Sequence, residues 1–407
     1  MPYRIAVIAL FAIGMVIVNT QRYSHHYYKS QQSNWLLIFV LLMAMGIFFS
    51  YDKLETIKYT CIYLVGLVLI LTPMKENFHY SAFDVIDISV KVIALSIILN
   101  MFIPHLFSDY LYFLISGGSS AVSRLNNEVN SNIYSGLMGE KGEAAYLMVI
   151  AITLLLSKCA ADRKVTRKNA IWFCIYFIAL LLPAKRMLFV IGLMICMLYL
   201  MFWTSGKKRI NAMGGFGALV CFGFIVANNI PTLNILVERF ALYSGDETFN
   251  GRVYLWERAF EMFQNKPLLG YGYGSFNSYA SYYGIILTST REWISQAHNI
   301  YIQLLGEMGI IGAFVFFVMA SCGARNFIKV YRMKSWLDRY DYALLFLGGN
   351  IQIVTLLYGL SGNCIYYSNQ IMVYFWGLAL MVFLRKKYST SPSNIRCNNN
   401  FVKQKKV

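Results

Sequence analysis

Long apolar runs alternate with short polar segments along most of the chain. Runs such as RIAVIALFAIGMVIV, NWLLIFVLLMAMGIFF and MLFVIGLMICMLYLMFW approach the roughly 20 apolar residues that a helix needs to cross a hydrocarbon core of about 30 Å. This pattern predicts an all-α polytopic membrane protein. Clear spans are expected near 5–19, 34–50, 56–73, 83–102, 144–157, 170–184, 187–204, 212–228, 300–321, 341–360 and 369–385.

A weaker apolar segment, IPHLFSDYLYFLISGGSSAV at 103–122, decides whether the first half of the chain has an odd or an even number of spans. With a cytoplasmic N-terminus, four spans before it return the chain to the cytoplasmic side near residue 120. A fifth crossing at 103–122 moves the following segment outside, as the rest of the threading requires. The expected total is therefore about 12 transmembrane helices, with 11–12 as the range.

Composition and charge support a membrane protein. Of 407 residues, 58% are hydrophobic and 14% are charged, whereas soluble proteins average about 25% charged residues. More than half of the Lys and Arg side chains lie in four clusters beside apolar runs, at 158–168, 207–209, 325–339 and 385–407. Basic residues concentrate on the cytoplasmic side of membrane proteins, so the net charge of +17 indicates orientation and not a nucleic-acid partner.

The same orientation leaves residues 229–299 outside as one large loop. Loops of this length are usually functional or disordered, and this one is rich in Tyr, Phe, Trp and Leu, which argues against disorder. We expect a transmembrane region at 1–228 with spans 1–9, a catalytic external loop at 229–299, a second transmembrane region at 300–387 and a disordered cytoplasmic tail at 388–407.

Within the loop, NGRVYLWERAFEMFQNKP has the pattern of an amphipathic helix. Asn250 is the expected N-cap and Pro267 the expected stop. Arg252 then falls in the first turn, where a helix N-terminus favours anions, so it is a candidate phosphate ligand. The alternative is a solvated loop arginine. The apolar stripe is expected at Val253, Trp256, Phe260 and Phe263.

The next stretch, PLLGYGYGSF, contains three alternating glycines, Gly270, Gly272 and Gly274. A dinucleotide-binding loop is disfavoured because the pattern lacks the strand and helix of a βαβ unit. Tight turns are expected instead, with tyrosine rings that suit a sugar. The alternative is an aromatic belt at the membrane interface.

His298 stands at the start of an apolar run, in QAHNIYIQLLGEMGIIG. An isolated histidine there has an interfacial role as its simplest interpretation. However, Glu307 lies inside the same run, and an ionisable residue in a span suggests a functional site. Lys185 and Arg186 lie on a short external turn. A base with several cations suits deprotonation of a hydroxyl while a diphosphate leaves.

The segment that joins these motifs resembles the O-antigen ligase and O-antigen polymerase superfamily. The resemblance covers about residues 180–320. It rests on NGRVYLWERAF, NKPLLGYGYGSF and AHNIYIQLLGEMGIIG, which follow the family's order: a GR-x-x-x-W helix, then P-x-x-G-x-G, then a His-Asn pair entering a span with E-x-G-x-x-G. Outside it, the chain resembles only a many-spanning membrane protein.

The resemblance implies a GT-C-like fold and transfer of a glycan from undecaprenyl diphosphate to a hydroxyl acceptor, without a metal or other cofactor. It implies that His298 is the general base and that Arg186 and Arg252 bind the diphosphate, with Lys185 as an added cation or a side chain that snorkels to the headgroups. Supporting positions are expected at Glu307, Asn299, Gly270, Gly272 and Trp256.

The implied location is the bacterial inner membrane, with the active site facing the periplasm. Expected partners are an undecaprenyl-diphosphate-linked glycan donor, a glycan or lipid A-core acceptor and membrane lipid; a chain-length regulator is a candidate. The ligases usually carry Ser or Thr before the first arginine, whereas Ala184 and Lys185 precede Arg186 here, which favours a polymerase over a ligase. Two other classes remain as alternatives: a transporter or flippase, and a scaffold without catalysis.

Overall fold

The computed structural model describes residues 30–72, 74, 76–115, 119–203, 210–211, 213–218, 221, 247–282 and 296–389. Within these ranges every regular secondary-structure element is a helix. The helices are α1 (Gln31–Gly46), α2 (Lys53–Leu71), α3 (Glu76–Phe102), α4 (Ser119–Asn130), α5 (Lys141–Asp162), α6 (Arg167–Leu181), α7 (Arg186–Trp203), α8 (Glu247–Asn265), α9 (Phe276–Tyr282), α10 (Ile300–Arg332), α11 (Arg339–Tyr358) and α12 (Ser368–Ser389).

Several of these helices suit a membrane by length and composition. In the described part of the chain, α2, α3, α5, α10 and α11 are long and apolar enough to cross it, and α1 and Arg186–Met201 of α7 are shorter apolar helices. The all-helical, multi-pass character predicted from the apolar runs is confirmed.

Charged and polar contacts gather several helix termini at one end of the bundle. Asn326 near the end of α10 donates to Gln32 at the start of α1 over 2.7 Å. Lys387 near the end of α12 pairs with Glu76 at the start of α3 over 3.1 Å, and Arg339 at the start of α11 pairs with Asp162 at the end of α5. The described parts of the basic clusters 158–168, 325–339 and 385–407 share this end, which we call the basic end.

The opposite termini meet at a second end, which we call the loop end. Gly136 donates to Asn100 near the end of α3 over 3.1 Å. Ile300 at the start of α10 donates to the carbonyl of Gly359 after α11 over 2.9 Å. Among the described residues, nine helices therefore run between the two ends in alternating directions: α1, α2, α3, α5, α6, α7, α10, α11 and α12.

The described residues between 103 and 140, namely 103–115 and 119–140, stay at the loop end, because α3 arrives there and α5 departs from there. Leu106–Tyr110 form a π turn and Tyr112–Leu114 a 3-10 turn before α4. The predicted fifth crossing at 103–122 is therefore wrong. Pro104 has no amide hydrogen to continue a helix, and its carbonyl instead accepts from the Asn100 side chain over 2.8 Å.

Helix α5 runs through the centre of the bundle, and its side chains from Ala144 to Leu156 are buried apart from Leu147. The helix begins with a cap: the Glu140 carboxylate accepts from the amides of Gly142 and Glu143 over 2.8 and 2.7 Å. Such a cap satisfies amides that have no partner within the helix. It also fixes a carboxylate at the loop end.

Candidate active site

Helix α10 is broken where the glycine-rich loop crosses it. Gly309 has φ 61° and ψ −170°, outside the helical region. The break leaves the amides of Ile310 and Ile311 to donate to the carbonyls of Pro267 and Leu268 over 2.8 and 3.3 Å. The P-x-x-G-x-G segment (267–272) and the E-x-G segment (307–309) are therefore joined by backbone hydrogen bonds. We call the glycine-rich segment held in this way the interlocked loop.

Two glycines of this loop allow its backbone to approach the backbone of α10 closely. Gly270 has φ 65° and Gly272 has φ 93°, a backbone region that glycine adopts at low cost. A Cβ atom at Gly270 would lie 2.4 Å from the Glu307 carbonyl carbon. The amide of Gly272 donates to the Glu307 carbonyl over 2.8 Å. The expected tight turns are present, and they pack the loop against α10.

Glu307 anchors the same loop with its side chain, which is fully buried. Its carboxylate accepts four hydrogen bonds, from Gly274 N (2.8 Å), Phe276 N (3.0 Å), Gln303 Nε2 (3.0 Å) and Tyr366 Oη (2.8 Å). Both oxygens are engaged, so Glu307 fixes loop geometry.

Helix α8 begins earlier than the sequence pattern predicts. It starts at Glu247 or before, so Asn250 lies inside the helix and is not its N-cap. Arg252 consequently lies beyond the first turn. Contrary to the prediction, helix-terminal amides therefore do not assist Arg252 in holding an anion. The helix ends at Asn265, just before Pro267, as expected.

The buried face of α8 is also displaced from the predicted stripe. Leu255, Ala259 and Met262 are buried, whereas Phe260 is 49% exposed. Backbone proximity explains the shift: a Cβ atom at Gly306 of α10 would lie 2.6 Å from the Ala259 carbonyl. Small residues at this crossing allow the two helices to meet, so the large aromatic Phe260 points away.

His298 is held between two fixed residues at the start of α10. The main-chain carbonyl of Ala297 accepts from Trp256 Nε1 over 2.9 Å, and the main-chain amide of Ala297 donates to Gln303 Oε1 over 2.9 Å. Asn299 caps α10 by accepting from Tyr301 N and Ile302 N over 3.0 and 3.3 Å. His298 itself has a left-handed φ of 55°. Trp256 and Asn299 thus fix the backbone on which the imidazole is placed.

The environment of His298 brings three of the predicted site residues together. Burial, together with the positive charges of Arg252 and Lys185, lowers the pKa of His298 to about 4 against an opposing effect of Glu140. Lys185 Nζ lies 3.9 Å from the Glu140 carboxylate. The imidazole is therefore neutral at pH 7 and lies in a field with positive neighbours. Arg186, the first residue of α7, is the chain neighbour of Lys185.

Two residues of this site escape the sequence analysis. Asn363, between α11 and α12, places its side-chain nitrogen 3.2 Å from His298 Nδ1. Glu140 faces Lys185 from the cap of α5. Neither lies in a recognised motif; the only available signal is that both fall in short polar segments between spans on the expected external side. In the part of the chain that the structure describes, no three His, Cys, Asp or Glu side chains gather as a metal site.

Residues 170–317 match the family model described as O-antigen ligase. Over this segment the chain matches the O-antigen ligase family. The matched region extends from α6 into α10 and contains Lys185, Arg186, Arg252, His298 and Glu307, so the family predicted from the motifs is confirmed. The family is one of enzymes in O-antigen synthesis. Asn363 and Glu140 lie outside the match. No curated protein matches the chain.

Proposed function

We propose that this protein is a metal-independent, inverting glycosyltransferase that moves a glycan from undecaprenyl diphosphate to a hydroxyl acceptor. The observation that carries the proposal is the environment of His298: a neutral imidazole affected by the charges of Arg252 and Lys185 at the loop end of a helical membrane bundle. A base beside cations is what a reaction needs when a hydroxyl loses a proton and a polyanion departs.

In the proposed step, His298 takes the proton of the acceptor hydroxyl. The acceptor oxygen forms a bond to the anomeric carbon while the bond from that carbon to the diphosphate oxygen breaks. The electron pair of the broken bond stays with the diphosphate, whose charge Arg186, Arg252 and Lys185 stabilise. A single displacement inverts the configuration at the anomeric carbon. Diphosphate is already a good leaving group, so the step needs no strong general acid.

Donor binding strengthens the base in this scheme. The resting pKa of about 4 makes His298 a weak base, partly because Arg252 and Lys185 disfavour its protonated form. A bound diphosphate offsets those positive charges and stabilises the imidazolium, so the pKa rises toward the working pH, where general-base catalysis is most effective. The base is therefore strongest when the donor is in place.

The remaining predicted residues serve as supports in this proposal. Trp256 and Asn299 hold the backbone on both sides of His298. Glu307 holds the glycine-rich loop, and Gln303 links the two sets because it bonds both Glu307 and Ala297. Gly270 and Gly272 allow the loop to touch α10. None of these supports is assigned a direct part in the chemistry.

We further propose that the loop end faces the periplasm across the bacterial inner membrane. Basic clusters favour the cytoplasmic side, and the basic end gathers three of them. The spans predicted at 5–19 and, for the most part, at 212–228 lie outside the described residues. Because α1 starts at the basic end, a span at 5–19 would put the N-terminus on the loop-end side, not on the cytoplasmic side expected from the sequence. With the nine described helices, these two spans give 11 in a GT-C-like arrangement.

The proposed organisation is a transmembrane region at 1–228 with eight spans in place of nine, the external loop at 229–299 and a transmembrane region at 300–387. The cytoplasmic tail, predicted at 388–407, begins only after Ser389, the last residue of α12.

The acceptor defines two candidate activities. Polymerisation of repeat units is favoured by the Ala184-Lys185-Arg186 turn, which departs from the ligase pattern. Ligation to lipid A-core is favoured by the description of the matching family model. Surface lipopolysaccharide from cells lacking the gene separates them on a gel. A single repeat on the core identifies a polymerase, with a chain-length regulator as its candidate partner; a bare core with lipid-linked polymer identifies a ligase.

The transferase proposal itself is tested with the full-length protein in lipid vesicles. The vesicles receive an undecaprenyl-diphosphate-linked glycan and an acceptor glycan or lipid A-core. We expect a longer or newly capped product together with stoichiometric undecaprenyl diphosphate. Movement of the donor between leaflets without a new glycosidic bond would contradict transfer and indicate a flippase.

A further inference from the structure

Asn363 is buried beside the imidazole of His298, with 1% of its surface exposed. Its neighbours fix its position. The main-chain carbonyl of Asn363 accepts from the main-chain amide of Tyr366 over 2.8 Å, and the Tyr366 hydroxyl donates to Glu307 over 2.8 Å. Cys364 and Ile365 are fully buried. The side-chain amide of Asn363 therefore contacts His298 from a rigid turn.

The direction of this hydrogen bond determines which imidazole nitrogen can act as a base. A neutral imidazole carries one N–H donor and one acceptor nitrogen. If the Asn363 nitrogen donates to Nδ1, the ring proton sits on Nε2 and the ring has no second lone pair for an acceptor hydroxyl. If the amide is rotated by 180°, Oδ1 accepts from Nδ1–H, and Nε2 keeps its lone pair.

The packing around the amide favours the rotated arrangement. With the nitrogen toward His298, the buried Asn363 Oδ1 accepts no hydrogen bond from any residue that the structure describes, and a buried carbonyl without a donor is costly. Rotation brings this oxygen to Nδ1–H. Without rotation, the Asn363 nitrogen also donates to the Tyr367 hydroxyl. After rotation that hydroxyl can donate to Oδ1 instead, because a hydroxyl serves as donor or acceptor.

We propose that Asn363 is a positioning residue that accepts from His298 Nδ1–H and so presents Nε2 as the base. This inference rests on the proposed role of His298. It adds a residue from beyond the matched region 170–317. A neutral amide also suits this site better than a carboxylate, because it orients the ring without cancelling the positive charge that holds a diphosphate.

Two substitutions separate the possible directions of the hydrogen bond. Asn363→Ala removes the acceptor, and we expect kcat to fall about 10–100-fold with little change in donor KM, as for other residues that orient a catalytic group. Asn363→Asp keeps an acceptor and loses the donor. It should retain much more activity than Asn363→Ala. Its acid limb should move to higher pH, because a carboxylate favours the protonated imidazole.

The tautomer itself can be read by 15N NMR of the full-length protein labelled at histidine, with the His298 signals assigned by their loss in His298→Ala. We expect a proton on Nδ1 in the wild type and a mixture of tautomers in Asn363→Ala. Asn369→Ala is the matched control, an exposed asparagine at the start of α12, and should leave the spectrum unchanged.

A proton on Nε2 in the wild type, or an Asn363→Asp variant as slow as Asn363→Ala, would overturn the inference. Its failure differs from failure of the proposed function. If His298→Ala is inactive while Asn363→Ala has wild-type kcat and tautomer, only the role of Asn363 falls. If His298→Ala keeps wild-type turnover, the proposed function falls first.

Discussion

Glu307 and His298 lie nine positions apart at the start of one helix, yet their surroundings differ in kind. The Glu307 carboxylate is fully buried and accepts four hydrogen bonds from the loop and bundle around it. His298 is half-buried, has Asn363 on one ring nitrogen, and is affected by the charges of Arg252 and Lys185. The oxygens of Glu307 are fully engaged by hydrogen bonds within the fold, whereas His298 keeps one ring nitrogen for a ligand.

This difference shows how a structural and a reactive residue can share one motif. A buried ionisable group whose oxygens are all engaged stabilises the arrangement of its donors, and it has nothing left for a substrate. A group that retains a lone pair beside positive neighbours can react. Substitutions can therefore either break the interlocked loop or alter the surroundings of the imidazole.

The largest effect is expected for Gly270→Ala, which forces a methyl group against the backbone of Glu307. The clash and the positive φ together should cost about 2–4 kcal/mol, so we expect poor accumulation in the membrane and a lower melting temperature in detergent. Gly217→Ala is the matched control, because its Cβ would meet no described atom within 4 Å. Equal stability of the two variants would show that the loop does not pack on α10.

A smaller loss of stability is expected for Glu307→Gln. The amide keeps the side-chain shape but replaces one accepting oxygen with a donor that faces Gly274 or Phe276. A buried group left without its partner costs about 1–3 kcal/mol. The melting temperature should fall while turnover per folded molecule stays within several-fold of wild type. A fully stable protein with abolished turnover would instead make Glu307 a reacting group.

Arg252→Ala should change binding and pH dependence together. Loss of a charged hydrogen-bond donor is worth about 10–100-fold in donor KM. Loss of its charge also raises the pKa of His298 from about 4. Because the base acts in its neutral form, the variant should lose activity at a higher pH than the wild type as the pH falls. Arg252→Lys keeps the charge, so its acid limb should stay at the wild-type position.

The smallest effect is expected for Asn299→Ala, which removes the cap of α10. The amides of Tyr301 and Ile302 lose their acceptor, and such caps contribute about 1 kcal/mol. We expect a small drop in melting temperature and a moderate loss of kcat, since the same residue follows His298. Unchanged stability would show that solvent satisfies these amides equally well.

The sequence predicts those features that depend on local pattern. Apolar length reveals most of the described spans, and the order of the motifs leads to the family and to His298. One failure has a local cause: the weak segment 103–122 contains Pro104, which ends α3 at the loop end, so the segment does not cross. Local pattern also fails where a distant contact decides. The close approach of α8 to Gly306 turns Phe260 outward, although the stripe pattern places it inside.

The same limit applies to the site. Helices α10 and α11 separate Asn363 from His298 along the chain, and only the fold brings the side-chain amide of Asn363 to the imidazole. Glu140 reaches Lys185 because the cap of α5 and the turn before α7 share the loop end. No spacing rule connects these positions along the chain. Glu307, by contrast, stands out in the sequence, and only its hydrogen bonds show that it is a support.

The most direct test of the central claim is single-turnover glycan transfer by His298→Ala, with donor binding measured on the same protein. The account predicts a rate about 10²–10⁴-fold below wild type, with donor affinity and melting temperature nearly unchanged because Arg252, Lys185 and the interlocked loop remain. A folded His298→Ala protein that transfers glycan at the wild-type rate would contradict the assignment of His298 as the base.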